Sequence, residues 1–522
     1  MPLRRRWMVR ALPAAVAGLL LGSACVDETI TVRNPFNDPV DQVNGFLGYY
    51  SVEDQQTTCG NCHADKQADW RDTKHAMAWG GLHTSEFAND TTCGVCHSVS
   101  ENGNWVEGPA GYAATFDSTY LDVQCEACHG PGIAHVLEPD ATQPLASIAV
   151  DTGATNGCGE CHQDNHQPFV EQWKQSAHGN TSRSARGREP CAQCHEGVRA
   201  LEVNFGVTSR FLEEDSGELF PLVCVVCHDP HGGTNNEHQL RAPLELESKH
   251  QLCITCHNRN TVPSEGSRGP HAAQGPLVLG SDIGWYPPGL TFPNGVTHFH
   301  GDTEANPGLC ATCHVSAFEV TDPSTGGHLF SATGHTFRPI PCVDDDGIPA
   351  PEPCATSERT FEACKQCHGT ETNARNKYLK LWGHLDSLLT VLWDDLNDND
   401  TLEAAPTDAG LLPQIVAVYG DIELDRTDTL FTFAEGILYN AQIAATDSTE
   451  RFLGGRVKVG TRANSLGGHP TSGNGIHNPW LLDALLKASI AAGADFYGIV
   501  LPAGLDLKFV GVEPPPTWRF NR

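Results

Sequence analysis

Nine times in 522 residues the chain reads Cys-x-x-Cys-His. In chain order, motifs 1 to 9 are Cys59, Cys62 and His63; Cys93, Cys96 and His97; Cys125, Cys128 and His129; Cys158, Cys161 and His162; Cys191, Cys194 and His195; Cys224, Cys227 and His228; Cys253, Cys256 and His257; Cys310, Cys313 and His314; and Cys364, Cys367 and His368. Composition alone would give roughly 0.04 such matches. The spacing has a chemical reason. Two thiols on one short turn add to the two vinyl groups of one haem, and the adjacent histidine reaches the iron from the same side. Zinc takes four ligands, usually from two such pairs, and has no use for a histidine fixed after the second cysteine. The pattern predicts nine covalently attached haems c.

These motifs use 18 of the 21 cysteines. Cys342 and Cys354 remain as a candidate disulfide, and Cys25 stands alone near the N-terminus. Motif starts are 34, 32, 33, 33, 33, 29, 57 and 54 residues apart, which reads as a tight array of seven followed by two more widely set. Each iron needs a sixth ligand, and the chain offers Met1, Met8 and Met77 against 25 histidines. Most sites are therefore expected to be bis-histidine and low in potential.

Ahead of Cys25 stand Arg4, Arg5, Arg6 and Arg10, an apolar run from Ala11 to Leu21, and Gly22-Ser23-Ala24. This reads as a secretory signal peptide over residues 1–24, too short for a membrane anchor. It directs the protein to the periplasm or cell surface. Cys25 is placed for lipidation, although Gly22 stands where leucine is usual; cleavage after Ala24 with an unmodified thiol is the other reading. Membrane attachment would come only through that lipid. A net charge of −31 excludes nucleic acid and favours redox partners with basic docking faces.

Several elements resemble those of multihaem cytochromes c. Trp70-Arg-Asp-Thr-Lys-His75-Ala and Trp173-Lys-Gln-Ser-Ala-His178-Gly are similar to the family's Trp-x-x-Ser/Thr-x-His element. Cys128-His-Gly-Pro-Gly-Ile-Ala-His135, Cys227-His-Asp-Pro-His231 and Gly269-Pro-His271 resemble its second-histidine elements. Gly475-Ile-His477-Asn-Pro, followed by an apolar helix, looks like the C-terminal ligand segment of the group containing cytochrome c nitrite reductase and the octahaem reductases. The resemblance implies distal ligands at His75, His135, His178, His231, His271 and His477. Context outside the motifs adds His335, and either His298 or His300. His83, His166, His238, His250, His328, His384 and His469 are read as ordinary imidazoles, one of which completes the set unless a neighbouring chain in a filament supplies it.

The elements that must hold these sites are sparse. The fold class expected is mainly α with extensive irregular coil and little β structure, organised by its haems. Five parts are expected: the signal peptide at 1–24, a tether at 25–50, a seven-haem array at 51–260, a two-haem region with long loops at 261–370, and a haem-free helical closing module at 371–522. Helices are expected over 374–396, over 432–445, and from Pro479 to about Ala492 with Asn478 as N-cap. The acidic runs from Asp395 to Glu403 and from Asp344 to Asp346 are weak calcium candidates. The function expected is electron transfer along the array. The alternative is an oxidoreductase with one open iron acting on a small nitrogen or sulfur compound, although no motif ends in lysine as that of the nitrite reductase active site does.

Overall fold

The computed structural model describes residues 36–82, 91–150, 156–164, 168–213, 218–264, 269–287, 299–425, 428, 430–445, 452, 458–459, 462–465 and 474–508. The signal peptide and Cys25 lie outside these residues. So do His83, His166, His298 and His469.

Each motif is a single helical turn. The N–H of the motif histidine donates to the carbonyl of the first cysteine at His63, His129, His162, His228 and His257, over 2.9 to 3.0 Å. At motifs 2, 5, 8 and 9 the histidine closes a short helix: Thr91–His97, Glu189–His195, Cys310–His314 and Glu362–His368. Residues i, i+3 and i+4 of such a turn share one face, so both thiols and the ring point the same way. At Gly159 the turn lies so close to Val150 that a Cβ would collide with its carbonyl oxygen, which is why this motif reads Cys-Gly.

Between motifs the chain is coil with a few short helices, held by small apolar clusters. One gathers Phe46, Val99, Ala110, Tyr112 and Tyr120, and another Ile148, Val170, Leu201, Val223 and Val226. The strands among the described residues are short. Antiparallel pairs join Tyr49–Ser51 to Gln56–Thr57 and Phe318–Thr321 to His328–Ala332, and a small three-stranded sheet lies near the C-terminus. Cys342 and Cys354 form the expected disulfide.

The largest core belongs to four helices that follow the last motif: α1 (Glu371–Leu392), α2 (Leu411–Tyr419), α3 (Phe433–Ala444) and α4 (Pro479–Tyr497). Leu385, Leu389, Leu412, Ile415, Ile437 and Leu485 are fully buried there, and Ala273, Leu277 and Ile283 join them from the preceding region. α1 starts three residues before the expected span, where the Thr370 hydroxyl accepts the Asn373 N–H, and stops at Leu392. There Trp393 turns extended and donates its indole N–H to Asp408 at 2.9 Å. α4 outruns its expected end because the chain stays helical until Gly498 adopts the left-handed cap. α2 was not foreseen; its Pro413 sits in the first turn, where the missing N–H costs nothing.

Leu389→Ala removes a fully buried side chain from the centre of this core. The expected loss is about 2–5 kcal/mol, read as a lower midpoint for denaturant unfolding of the closing helices.

Candidate haem-binding sites

Among the described residues, eight of the nine motif histidines face a second histidine. His63 faces His135 at 6.2 Å between ring centroids, His129 faces His231 at 6.3 Å, and His162 faces His75 at 6.2 Å. His195 faces His271 at 6.2 Å, His228 faces His335 at 6.4 Å, and His257 faces His178 at 6.2 Å. His314 faces His477 at 6.1 Å and His368 faces His300 at 6.3 Å. The distances span only 6.1 to 6.4 Å while the interplanar angles run from 12° to 76°. Ring stacking would fix the angle as well as the distance. A fixed distance with free rotation is what a shared central atom imposes. Two imidazole nitrogens, each about 2 Å from one metal and about 1.1 Å from its own ring centre, give centroids roughly 6 Å apart.

The other ring nitrogen is fixed from outside. Nδ1 lies 2.7 Å from the Thr142 carbonyl oxygen at His135, 3.1 Å from Pro144 at His129, 2.9 Å from His238 at His228 and 2.9 Å from Phe337 at His314. His335 bonds the Thr333 carbonyl at 3.1 Å, and His300 that of Ile476 at 2.7 Å. A carbonyl at Nδ1 selects the tautomer with Nε2 bare and aimed at the facing ring, the arrangement of a metal-ligating histidine. Burial pushes His75 down to about 4 and His178 to about 3, so both stay neutral and ready to ligate. His97, of motif 2, has its Nδ1 2.9 Å from the Ala78 carbonyl, and no second histidine ring is recorded facing it among the described residues.

Histidines read as ordinary imidazoles have ordinary surroundings where described. His384 pairs with Asp483 at 2.6 Å and His328 with Glu319 at 2.8 Å, while His238 and His250 are exposed. Met77 is 48% exposed. The calcium candidates turn their oxygens onto their own loops. Asp395 accepts the Asp400 N–H at 2.8 Å, Glu403 the Asn397 amide at 2.7 Å, and Asp344 the Asp346 and Ile348 N–H groups.

From motif 4 onward the thiols open on the same space as the rings. Motifs 4 to 9 line one continuous cavity of about 3460 Å³, walled on the other side by Tyr378, Leu381 and Trp480 of the closing helices. Paired thiols, a facing ring at metal-bridging distance and a cavity between them fit haem c. This chain is a multihaem cytochrome c. Residues 221–261 match the doubled Cys-x-x-Cys-His motif family and residues 58–130 the cytochrome c554 and c-prime family. The multihaem cytochrome MtrA of Shewanella baltica is 27% identical over 192 residues, 33% of this chain and 54% of MtrA. The chain thus spans about half the length of the curated relative it matches. The outer cell wall cytochrome OcwA aligns over 86% of this cytochrome and 100% of its own chain, with a TM-score of 0.47 and 14% identity.

Sequence context singled out the facing histidines but not their partners. The missing signal is long-range: His231 follows motif 6 yet faces motif 3, and His477 faces motif 8 from the C-terminal segment.

Proposed function

We propose that this cytochrome carries nine haems and conducts electrons through them, with both axial positions of most irons filled by histidine. The observation that carries this reading is the set of eight ring pairs at one common separation. When bound, haem supplies a reversible one-electron carrier whose potential its ligands and burial set. The chain's part is to fix ring and thiol positions, exclude water and hold each imidazole in its ligating tautomer. For motif 2 the facing ring is proposed to come from a histidine outside the described residues.

The arginine-rich leader and Cys25 support export, with a lipid tether at the membrane or cell surface. The charge of −31 supports docking of basic redox partners. Self-assembly into filaments belongs to the same reading.

Carbon monoxide tests the proposal, because it binds ferrous haem only at an open or weakly held position. Addition to the fully reduced protein is expected to leave the Soret band unchanged. A change amounting to one haem in nine would instead support the oxidoreductase with a single substrate site.

A further inference from the structure

Thiols of different motifs neighbour one another, and the pairs have an order. The Sγ atoms of Cys59 and Cys125 are within hydrogen-bonding reach, joining motif 1 to motif 3. Thr57, just before motif 1, has its hydroxyl 3.9 Å from Cys125 Sγ. Cys96 reaches Cys161, joining motif 2 to motif 4, and Cys96 Sγ is 3.9 Å from the Glu160 carbonyl inside motif 4. Cys158 reaches Cys224, joining 4 to 6. Cys194 reaches Cys256, joining 5 to 7, and Asn204, from the helix after motif 5, donates to Cys256 Sγ at 3.7 Å. Cys253 reaches Cys310, joining 7 to 8. Motif 3 meets motif 4 at Gly103, where a Cβ would sit 2.6 Å from the Ala127 carbonyl oxygen and 4.0 Å from that of Gly157, and the helices Cys310–His314 and Glu362–His368 pack on each other, joining 8 to 9; 6 meets 7 across Phe337.

Aromatic rings fill the joints. Phe169 lies 5.8 Å from His162 and 4.8 Å from His335, between sites 4 and 6. Phe337 lies 4.3 Å from His178 and 5.7 Å from His335, between sites 7 and 6.

The links repeat with a shift of three motifs. Links 1–3, 2–4 and 3–4 become 4–6, 5–7 and 6–7. The scaffold repeats with them. Trp70 donates its indole N–H to Val123, two residues before motif 3, and Trp173 does the same to Leu222, two residues before motif 6, both at 2.9 Å. Thr73 and Ser176 bond back to the carbonyls of those tryptophans, both at 2.7 Å. His75 then faces motif 4 and His178 faces motif 7. Only Cys62 and Cys367 among the motif cysteines are exposed, one at each end of the chain of links.

We infer that the sites are wired as one line, 1–3–4–6–7–8–9, built from a repeated three-motif unit, with 2 and 5 as side stations on 4 and 7 and with electron entry and exit at 1 and 9. Each thiol marks an edge of the haem it holds, so neighbouring thiols mark the shortest gaps for transfer. One electron taken at one end from a reduced redox protein is released at the other to an oxidised one-electron acceptor, and no bond is made or broken. The inference rests on the conduit reading.

Two measurements test it. In a cryo-microscopy map of the holoprotein, the shortest porphyrin edge gaps are expected at the eight links named. A line gap, such as 6 to 7, wider than the gap from 5 to 6 would overturn the order. The second measurement tethers the protein to gold through a cysteine introduced by Lys66→Cys beside site 1, Asn376→Cys beside site 9, or Val418→Cys on α2 away from both. Interfacial electron transfer at least tenfold faster from the two ends is expected, and equal rates from all three would overturn the assignment of the ends. Carbon monoxide binding with the gaps as described would remove the conduit reading alone.

Discussion

Replacing His178 by alanine is expected to open one site in nine to carbon monoxide. The His178 ring is buried, 6.2 Å from His257 and edge-on to Phe337 at 4.3 Å. Burial holds its basicity down to about 3, so no proton competes for Nε2 at any ordinary pH. With the ring gone, the space it filled lies against the proposed iron of site 7. The reduced variant should show a Soret change on carbon monoxide addition worth one haem, where the native protein shows none. His250→Ala, at an exposed position, serves as the comparison and should show no change. If His178→Ala were equally silent, His178 would be a packing residue and the ring-pair argument would fail at its most buried member.

Glu126 is expected to make stability depend on pH near neutrality. Its carboxyl is buried inside motif 3 and accepts the N–H groups of Leu47 at 2.9 Å, Gly48 at 2.7 Å and Gly132 at 2.7 Å. Burial raises it to about 7, the donors offsetting only part of the desolvation. Below about pH 4.5 the folded and unfolded chains are both protonated and the contribution is whole. Between there and 7 the folded chain holds the extra proton, so stability falls as pH rises, and above 7 the loss is complete. The size is on the order of 3 kcal/mol. Unfolding of Glu126→Gln, which carries no titrating group there, should lack this decline. Native stability relative to the variant's should fall from pH 5 to pH 8, and parallel curves would refute the assignment. Glu126→Ala should be worse at every pH, because three buried N–H groups lose their acceptor at about 1–3 kcal/mol each.

The motifs were legible because covalent chemistry fixes their spacing within five residues, and no tertiary context is needed to recognise them. The facing histidines were legible as candidates because local signals mark them, such as Trp70 three residues before Thr73 and five before His75. What faces what was hidden. His75 precedes motif 2 yet faces motif 4, and nothing in the intervening residues records the distance. Helices were visible where apolar spacing ran long, as in α1 and α4. Their ends depended on single groups, the Thr370 hydroxyl and the backbone of Gly498. α2 escaped because nine residues with a proline near the start read equally well as a buried coil. The contact order of the motifs was invisible for the same reason as the ring pairs, since each link joins segments that only the fold brings together.

The long reach of the facing histidines also sets a timetable for biogenesis. The chain emerges N-terminus first. His75, His178 and His300 are already out when motifs 4, 7 and 9 arrive, so those sites have both rings from the start. Site 3 waits for His231, and site 8 waits for His477 near the C-terminus. The His300 ring is itself held by the carbonyl of Ile476, beside His477, so sites 8 and 9 are locked by the same late segment. A nascent chain stopped short of His477 would carry all nine attachment motifs yet leave site 8 with a single ring and the His300 ring without its anchor, so the C-terminal segment is the last piece the array needs.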